Sequence, residues 1–331
     1  ENYRRKIYAP LGGKRAVAAR AEVREFIALA TARVQSGLDR AEAMADGWMP
    51  TYLRFTADAY EILQENGAPK TKNGMPCVKV TAFSGRALPH FAEGVAKGIA
   101  NGRTDLYRKA KQSQLYDPVL GVYRTSEPLD GETLEIGRIR SFPKGWLERE
   151  SCFLHMNYKL LLSLLHAGMY DEFFREMRAN FVPFFKPGTY GRSTIENSSF
   201  IVTSNHCDKK KWGKGFQARL TGANAEALSM WRVLMGVQTP FTVRDGQLRF
   251  ALQPVLTPDF FDKEGKVTFT LFGNTRITYR MREKKPTYKA RIAQYHLRGE
   301  DNVNVATSTV AGELAERIRA GKISEIEVNL E

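Results

Sequence analysis

Three polar loops carry the residue types that could do chemistry. Gly145 to Lys159 holds Glu148, Glu150 and His155; Tyr190 to Phe200 holds Glu196; Ala218 to Trp231 holds Arg219 and the pair Thr221-Gly222. Each loop is set against an apolar helix or run, and loops held on a rigid scaffold are where binding chemistry concentrates. Carboxylates can hold sugar hydroxyls or move a proton as general acid or base. Thr221-Gly222 lies just before a helical pattern. Free backbone N–H groups and the positive end of the helix dipole make such a place an anion site. Glycine lets the backbone approach the anion, threonine adds a hydroxyl donor, and His155 can donate to a phosphate oxygen.

Each of these residues also has a plainer reading. A histidine beside Phe153, Leu154 and Met156 suits a structural role. Thr221 suits an ordinary N-cap. Glu148 and Glu150 suit solvated charges at a helix start, where the dipole favours them. Glu196 in a Ser/Asn loop suits a turn or cap. His206-Cys207-Asp208 lacks the second ligand pair that a metal site needs, so no metal is expected. Phe184-Phe185 reads as core.

The elements that position the loops follow from periodicity. Val23, Phe26, Ile27, Ala30, Val34 and Leu38 recur at three- and four-residue steps and predict a helix from Ala19 to about Ala45. Further helices are expected at Tyr52 to Gln64, Leu88 to Ile99, Asp105 to Gln114, Ser151 to His166, Glu172 to Phe181 and Ala223 to Met235. Pro76 to Phe83 reads as extended and Leu120 to Phe142 as irregular. Gly168 is expected to stop its helix in the left-handed conformation. The last helix of the series should bury Ala225, Leu228, Trp231 and Leu234. After Gly236 the period changes. Phe241 to Arg244 and Gln247 to Leu252 flank Asp245-Gly246 as a hairpin, and Lys266 to Phe272 and Thr275 to Arg280 form a second. A helix at Gly312 to Ala320 and a strand at Ile323 to Leu330 follow. The expected fold is therefore mainly α with a β-rich C-terminal part. Residues 1–238 would form helix hairpins of an incomplete (α/α)6 barrel, and residues 239–331 a small β region.

With 331 residues, 43% hydrophobic and 26% charged, the chain lies in the globular range rather than the disordered one. No run reaches the roughly 18 apolar residues of a membrane span. Three cysteines without C-x-x-C spacing argue against a disulfide framework or zinc site and fit a reducing cytoplasm. The net charge of +14 is spread along the chain with no nucleic-acid-binding motif, so it reads as a solvated basic surface.

Glu148 to Asn157 (ERESCFLHMN), Glu196 to Ser204 (ENSSFIVTS) and Leu220 to Trp231 (LTGANAEALSMW) together resemble the C-terminal half of the inverting β-glycoside phosphorylases. These are the cellobiose phosphorylase-like enzymes of glycoside hydrolase family 94 and relatives. The resemblance covers roughly Trp146 to Phe261. It implies an (α/α)6 barrel with a small C-terminal β region, and sugar-binding roles for Glu148 and Glu196. It implies phosphate-binding roles for His155, Thr221 and Gly222. Where the family has Glu-Asn-Gly-Gly-Ile-Phe-Cys-His, this chain has Glu148-Arg149-Glu150-Ser151-Cys152-Phe153-Leu154-His155. Ser204 stands near the family's sugar-binding glutamine. No cofactor is implied, since inorganic phosphate is the co-substrate.

Inverting phosphorolysis also needs a carboxylic acid for the leaving oxygen while phosphate attacks the opposite face. In the family that acid sits in a D-W-x-D-type segment, which this sequence lacks; Asp46-Gly47-Trp48 has the residue types in the wrong order. The acid is thus expected upstream of Glu1, in an N-terminal half on the same or a separate chain. Three functions remain open: part of a glycosyltransferase-type phosphorylase (a hexosyltransferase) making α-glucose 1-phosphate from β-linked oligosaccharides; a hydrolase with Glu148, Glu150 or Glu196 as base; and a non-catalytic carbohydrate-binding remnant. The exposed face of a partial ring is expected to favour homo-oligomers. Neither nucleic acid nor membrane is an expected partner.

Overall fold

The computed structural model describes residues 5, 17–217 and 222–331. The chain divides into two compact units, Glu1–Ala87 and Leu88–Glu331.

In the first unit, helix α1 (Arg20–Ala43) follows the predicted periodicity, yet none of its residues is buried. Strands β1 (Leu53–Ile62) and β2 (Val78–Ala87) pair antiparallel into a long hairpin, Leu53 opposite Ala87 and Ile62 opposite Val78. The hairpin replaces the helix expected at Tyr52 to Gln64. A register shift between Ala57 and Tyr60 accounts for the difference. A bulge adds one residue and flips the phase of a period-two pattern. Leu53, Phe55 and Ala57 alternate, then Tyr60 and Ile62 alternate, and the three-residue step between the sets imitates a helix.

In the second unit, α2 (Ala92–Ala100) and α3 (Asp105–Gln112) precede a two-residue ladder of β3 (Tyr116–Asp117) with β4 (Val122–Tyr123). The irregular stretch expected from Leu120 to Phe142 follows, with short 3-10 turns at Leu134–Ile136 and Arg138–Ser141. Strand β5 (Cys152–Phe153) leads into α4 (Leu154–His166), which is the core of this unit. Leu154, Tyr158, Leu160, Leu161 and Leu164 are fully buried, and α4 packs on α2, on α5 (Tyr170–Asn180) and on a later helix, α7. Gly168 ends α4 with φ +72°, and the Gly168 and Met169 N–H groups donate to the Leu165 and Leu164 carbonyls. The one-turn helix α6 (Pro187–Tyr190) is followed by β6 (Phe200–Ile201) and β7 (Gly215–Phe216), which join β5 in a sheet of order β5–β6–β7. Then comes α7 (Gly222–Leu234).

Both predicted C-terminal hairpins are present. Strands β8 (Phe241–Arg244) and β9 (Gln247–Phe250) turn at Asp245 and Gly246, both at positive φ. Strands β10 (Lys266–Leu271) and β11 (Thr275–Met281) form the second. Four more strands, β12 (Ile292–Gly299), β13 (Asn302–Val305), β14 (Val310–Ala311) and β15 (Ile323–Leu330), and helix α8 (Glu313–Arg319) complete the chain. The main sheet has the order β10–β11–β15–β12–β13, with β11 and β15 parallel, and β14 pairs with β9. Tyr279 on β11 donates to the Met235 carbonyl at 2.6 Å and pins the sheet to the end of α7.

The mainly-α expectation is therefore corrected. The fold is 35% helix and 27% strand, and no (α/α)6 barrel, whole or partial, is evident among the described residues. Periodicity located most helices but could not show that they gather around one buried helix, α4. Nor could it show strand pairing in the loops between them. The face of α7 also differs from expectation. Ala223, Met230, Val233 and Leu234 are buried, whereas Leu228 and Trp231 are 66% and 47% exposed.

Candidate phosphate and sugar site

The loop before β5 is held in a strained shape. Gly145 is at φ +71°, and a β-carbon there would lie 2.6 Å from the His206 backbone nitrogen, so only glycine fits. Leu147 and Glu150, without that freedom, sit at φ +49° and +58°. Such strain persists only where surrounding contacts over-determine it, and here they do. Arg149 donates to the Arg140 and Phe142 carbonyls at 3.0 and 2.9 Å and to Asp130 at 2.9 Å. Lys144 meets the other Asp130 oxygen at 2.7 Å. The Lys144 hydrogen bond, and secondarily the nearby positive charges, hold the Asp130 carboxyl below the ordinary range. Ser151 Oγ donates to the Leu147 carbonyl, and Thr203 Oγ1 to the Glu150 carbonyl.

The two glutamates of this loop diverge. Glu150 is fully buried; Asn205 donates to its Oε2 at 2.6 Å, while Oε1 has no hydrogen-bond partner. Glu148 is half-buried. Arg138 donates to its Oε1 at 3.2 Å, and its Oε2 is shielded from solvent without a hydrogen-bond partner.

His155 stands on the first turn of α4, its ring edge-on to Phe153 at 6.0 Å. An aromatic ladder spans the β5–β6–β7 sheet beside it. Phe153 stacks on Phe200 at 4.7 Å, Phe200 on Phe216 at 5.5 Å, and Phe216 on Trp146 at 4.0 Å. His155 and Gly222 are brought into contact. A β-carbon on Gly222 would lie 2.5 Å from His155 Nδ1 and 2.7 Å from Cε1 and Cγ, so the Nδ1 corner of the ring presses on the first residue of α7. The opposite nitrogen, Nε2, lies 3.4 Å from Glu226 Oε1. Glu226 was not anticipated from the sequence. Its signal is the spacing Gly222 to Glu226, four residues, which sets both on one helix face.

Glu196 is exposed and pairs with Arg192 at 2.7 Å. Its loop is nonetheless tied to the same helix start. Neighbouring Asn197 accepts from Tyr158 Oη at 2.8 Å and donates to Asn224 Oδ1 on the first turn of α7. Thr221 and Arg219 lie outside the described residues. Ser204 is absorbed elsewhere, its N–H and hydroxyl donating to buried Asp117 at 2.7 and 2.9 Å. His206 accepts from the Asp208 N–H at 3.0 Å, an ordinary turn contact. Among the described residues no group of three or more His, Cys, Asp or Glu side chains is placed to hold a metal ion. No helix among them is long and apolar enough to cross a membrane.

These residues can do two things chemically. The start of a thirteen-residue helix, opened by a glycine and faced by an imidazole, can hold an oxyanion. Glu148 Oε1, which meets Arg138, can also accept from a hydroxyl-bearing ligand. No family model matches the chain, and no curated protein matches it.

Proposed function

We propose that the chain is part of a carbohydrate-active glycoside phosphorylase, a hexosyltransferase that cleaves β-linked glucosides by inverting phosphorolysis to α-glucose 1-phosphate. The observation that carries this reading is the seating of His155 Nδ1 against Gly222 at the start of α7, with Nε2 facing Glu226. A phosphate at the helix start would accept from backbone N–H groups and from Nδ1. The imidazole would lie with Nδ1 toward the phosphate and Nε2 toward Glu226. It thereby separates two anions that would repel each other.

On this reading Glu148 and Glu196 accept hydroxyls of the sugar, and Arg138 orients Glu148 through its Oε1. A phosphate oxygen attacks the anomeric carbon from the face opposite the leaving group. The new carbon–oxygen bond forms as the glycosidic bond breaks, and the electron pair goes to the leaving oxygen, which takes a proton from a carboxylic acid. No residue of this chain is assigned as that acid. The three free thiols, Cys77, Cys152 and Cys207, fit a reducing cytoplasm.

The test is sugar 1-phosphate release from a panel of β-1,2-, β-1,3- and β-1,4-oligoglucosides by the enzyme with both halves present. The expected result is phosphate-dependent product, with His155→Ala lowering kcat/KM for phosphate roughly 10- to 150-fold and leaving glucoside affinity nearly unchanged. That range corresponds to ~1.5–3 kcal/mol for a hydrogen bond to a charged group. Release of free glucose without phosphate would replace this reading with hydrolysis.

A further inference from the structure

A cleft of about 360 Å³ opens on the face of the β5–β6–β7 sheet opposite the aromatic ladder. Successive strand residues point to opposite faces. Phe200 stacks in the ladder beside His155, whereas Ile201 lines the cleft. Tyr190 marks the same side, since its ring packs so closely on Gly215 that a β-carbon there would lie 2.2 Å from Cε2. The cleft is therefore separate from the candidate phosphate site.

Its lining selects a ligand class. Leu120, Val122, Ile201 and Phe185 supply apolar walls, and the charged side chains that line it are Arg178 and Lys186; no carboxylate does. Arg178 is shared with Asp259 and lies over the Phe184 ring at 5.6 Å. Lys186 has no ion-pair partner among the described residues. A sugar would need several converging hydroxyl partners, and these are missing. The Tyr190 hydroxyl is spent, donating to the Glu196 carbonyl at 2.9 Å and accepting from the Ser198 N–H at 2.8 Å. Thr189 carries the remaining hydroxyl of the lining. Apolar walls, one-signed charge and a volume at the lower end of small-molecule sites fit one kind of guest.

We propose that this cleft is a binding site for a small amphipathic anion. A hydrocarbon or aromatic tail lies against Leu120, Val122, Ile201 and Phe185, and a carboxylate or phosphate head meets Lys186, with Arg178 beside it.

The test is calorimetric titration of the full chain, below micelle-forming concentrations, with octanoate, octyl phosphate, octyl glucoside and octylammonium. Octanoate or octyl phosphate should bind at least fivefold more tightly than the neutral and cationic probes, and the tighter of the two identifies the head group. Lys186→Glu, a change at an exposed residue, should weaken the preferred anion about threefold to fivefold, the range of a surface ion pair. Thr189→Trp, also at an exposed position, places an indole in the cleft and should abolish binding while melting behaviour stays native. Three results would overturn the proposal: no anion binding, equal binding of all four probes, or anion binding that survives both substitutions.

Discussion

Replacing Gly222 by alanine perturbs the contact on which the proposed phosphate site depends. Gly222 is not among the positive-φ glycines, so its backbone accepts alanine; what the position lacks is space. A β-carbon 2.5 Å from His155 Nδ1 forces the imidazole to move, and movement takes Nε2 away from Glu226, now 3.4 Å distant. The His155 side chain is 26% exposed, so the ring can swing outward. Alanine gains about 0.5–1 kcal/mol of helix preference over glycine, and an off-rotamer histidine costs about 0.5–1.5 kcal/mol. The two nearly cancel, and the melting temperature should move by no more than about 3 °C. Binding should respond much more. Loss of a donor to a charged phosphate costs ~1.5–3 kcal/mol, or roughly 10- to 150-fold in Kd. Calorimetric titration of inorganic phosphate into the wild type and Gly222→Ala, with melts of both, measures the two effects together. Equal phosphate affinity in the two proteins would refute the steric reasoning and return His155 to a packing role.

Other consequences are independent of that site. The Asp130 carboxyl is depressed chiefly by the Lys144 hydrogen bond. A folded-state pKa below the unfolded value adds stability above about pH 4 that disappears as pH falls through the folded value. Asp130→Asn should therefore lower the melting temperature at pH 7 by about 1–3 °C and flatten the loss of stability as pH falls below about 4. The effect is small because Asp130 is half-exposed. Burial pushes the Tyr295 phenol up to about 12, so its share of stability is complete below pH 10 and is lost as pH rises towards 12, which alkaline melts of Tyr295→Phe against wild type would show. On α7, Met230→Ala should cost ~2–5 kcal/mol in denaturant unfolding, whereas Leu228→Ala should stay within about 0.5 kcal/mol, because Leu228 faces outward.

The contrast on α7 shows where the sequence is legible. A helix over Ala223 to Met235 follows from composition, but Leu228 and Trp231 outweigh Ala223 and Met230 in any apolar pattern. Which face turns inward depends on α4, whose buried leucines the chain places about seventy residues earlier. The D-G turn at Asp245-Gly246 and the stop at Gly168 were readable because they need a positive φ that few residues adopt. The bulge between Ala57 and Tyr60 hid a hairpin, since it breaks the alternation that identifies strands. With that hairpin and the short loop strands hidden, residues 1–238 read as helix hairpins of an incomplete (α/α)6 barrel, which is not evident among the described residues. At the site, the sequence pointed to His155 and Gly222, which do meet. The spacing of Gly222 and Glu226 sets both on one helix face, but that this face meets His155, and that Asn197 meets Asn224, is shown only by tertiary contacts.

Everything proposed for the site turns on inorganic phosphate binding at the start of α7 beside His155. That binding is tested most directly by following the ring nitrogen resonances of His155 while phosphate is titrated into the protein at constant pH and ionic strength. The expected result is a saturable shift centred on Nδ1, absent with an equal concentration of chloride and lost in Gly222→Ala. Phosphate that leaves both ring nitrogens unmoved, or moves them no more than chloride does, would contradict it.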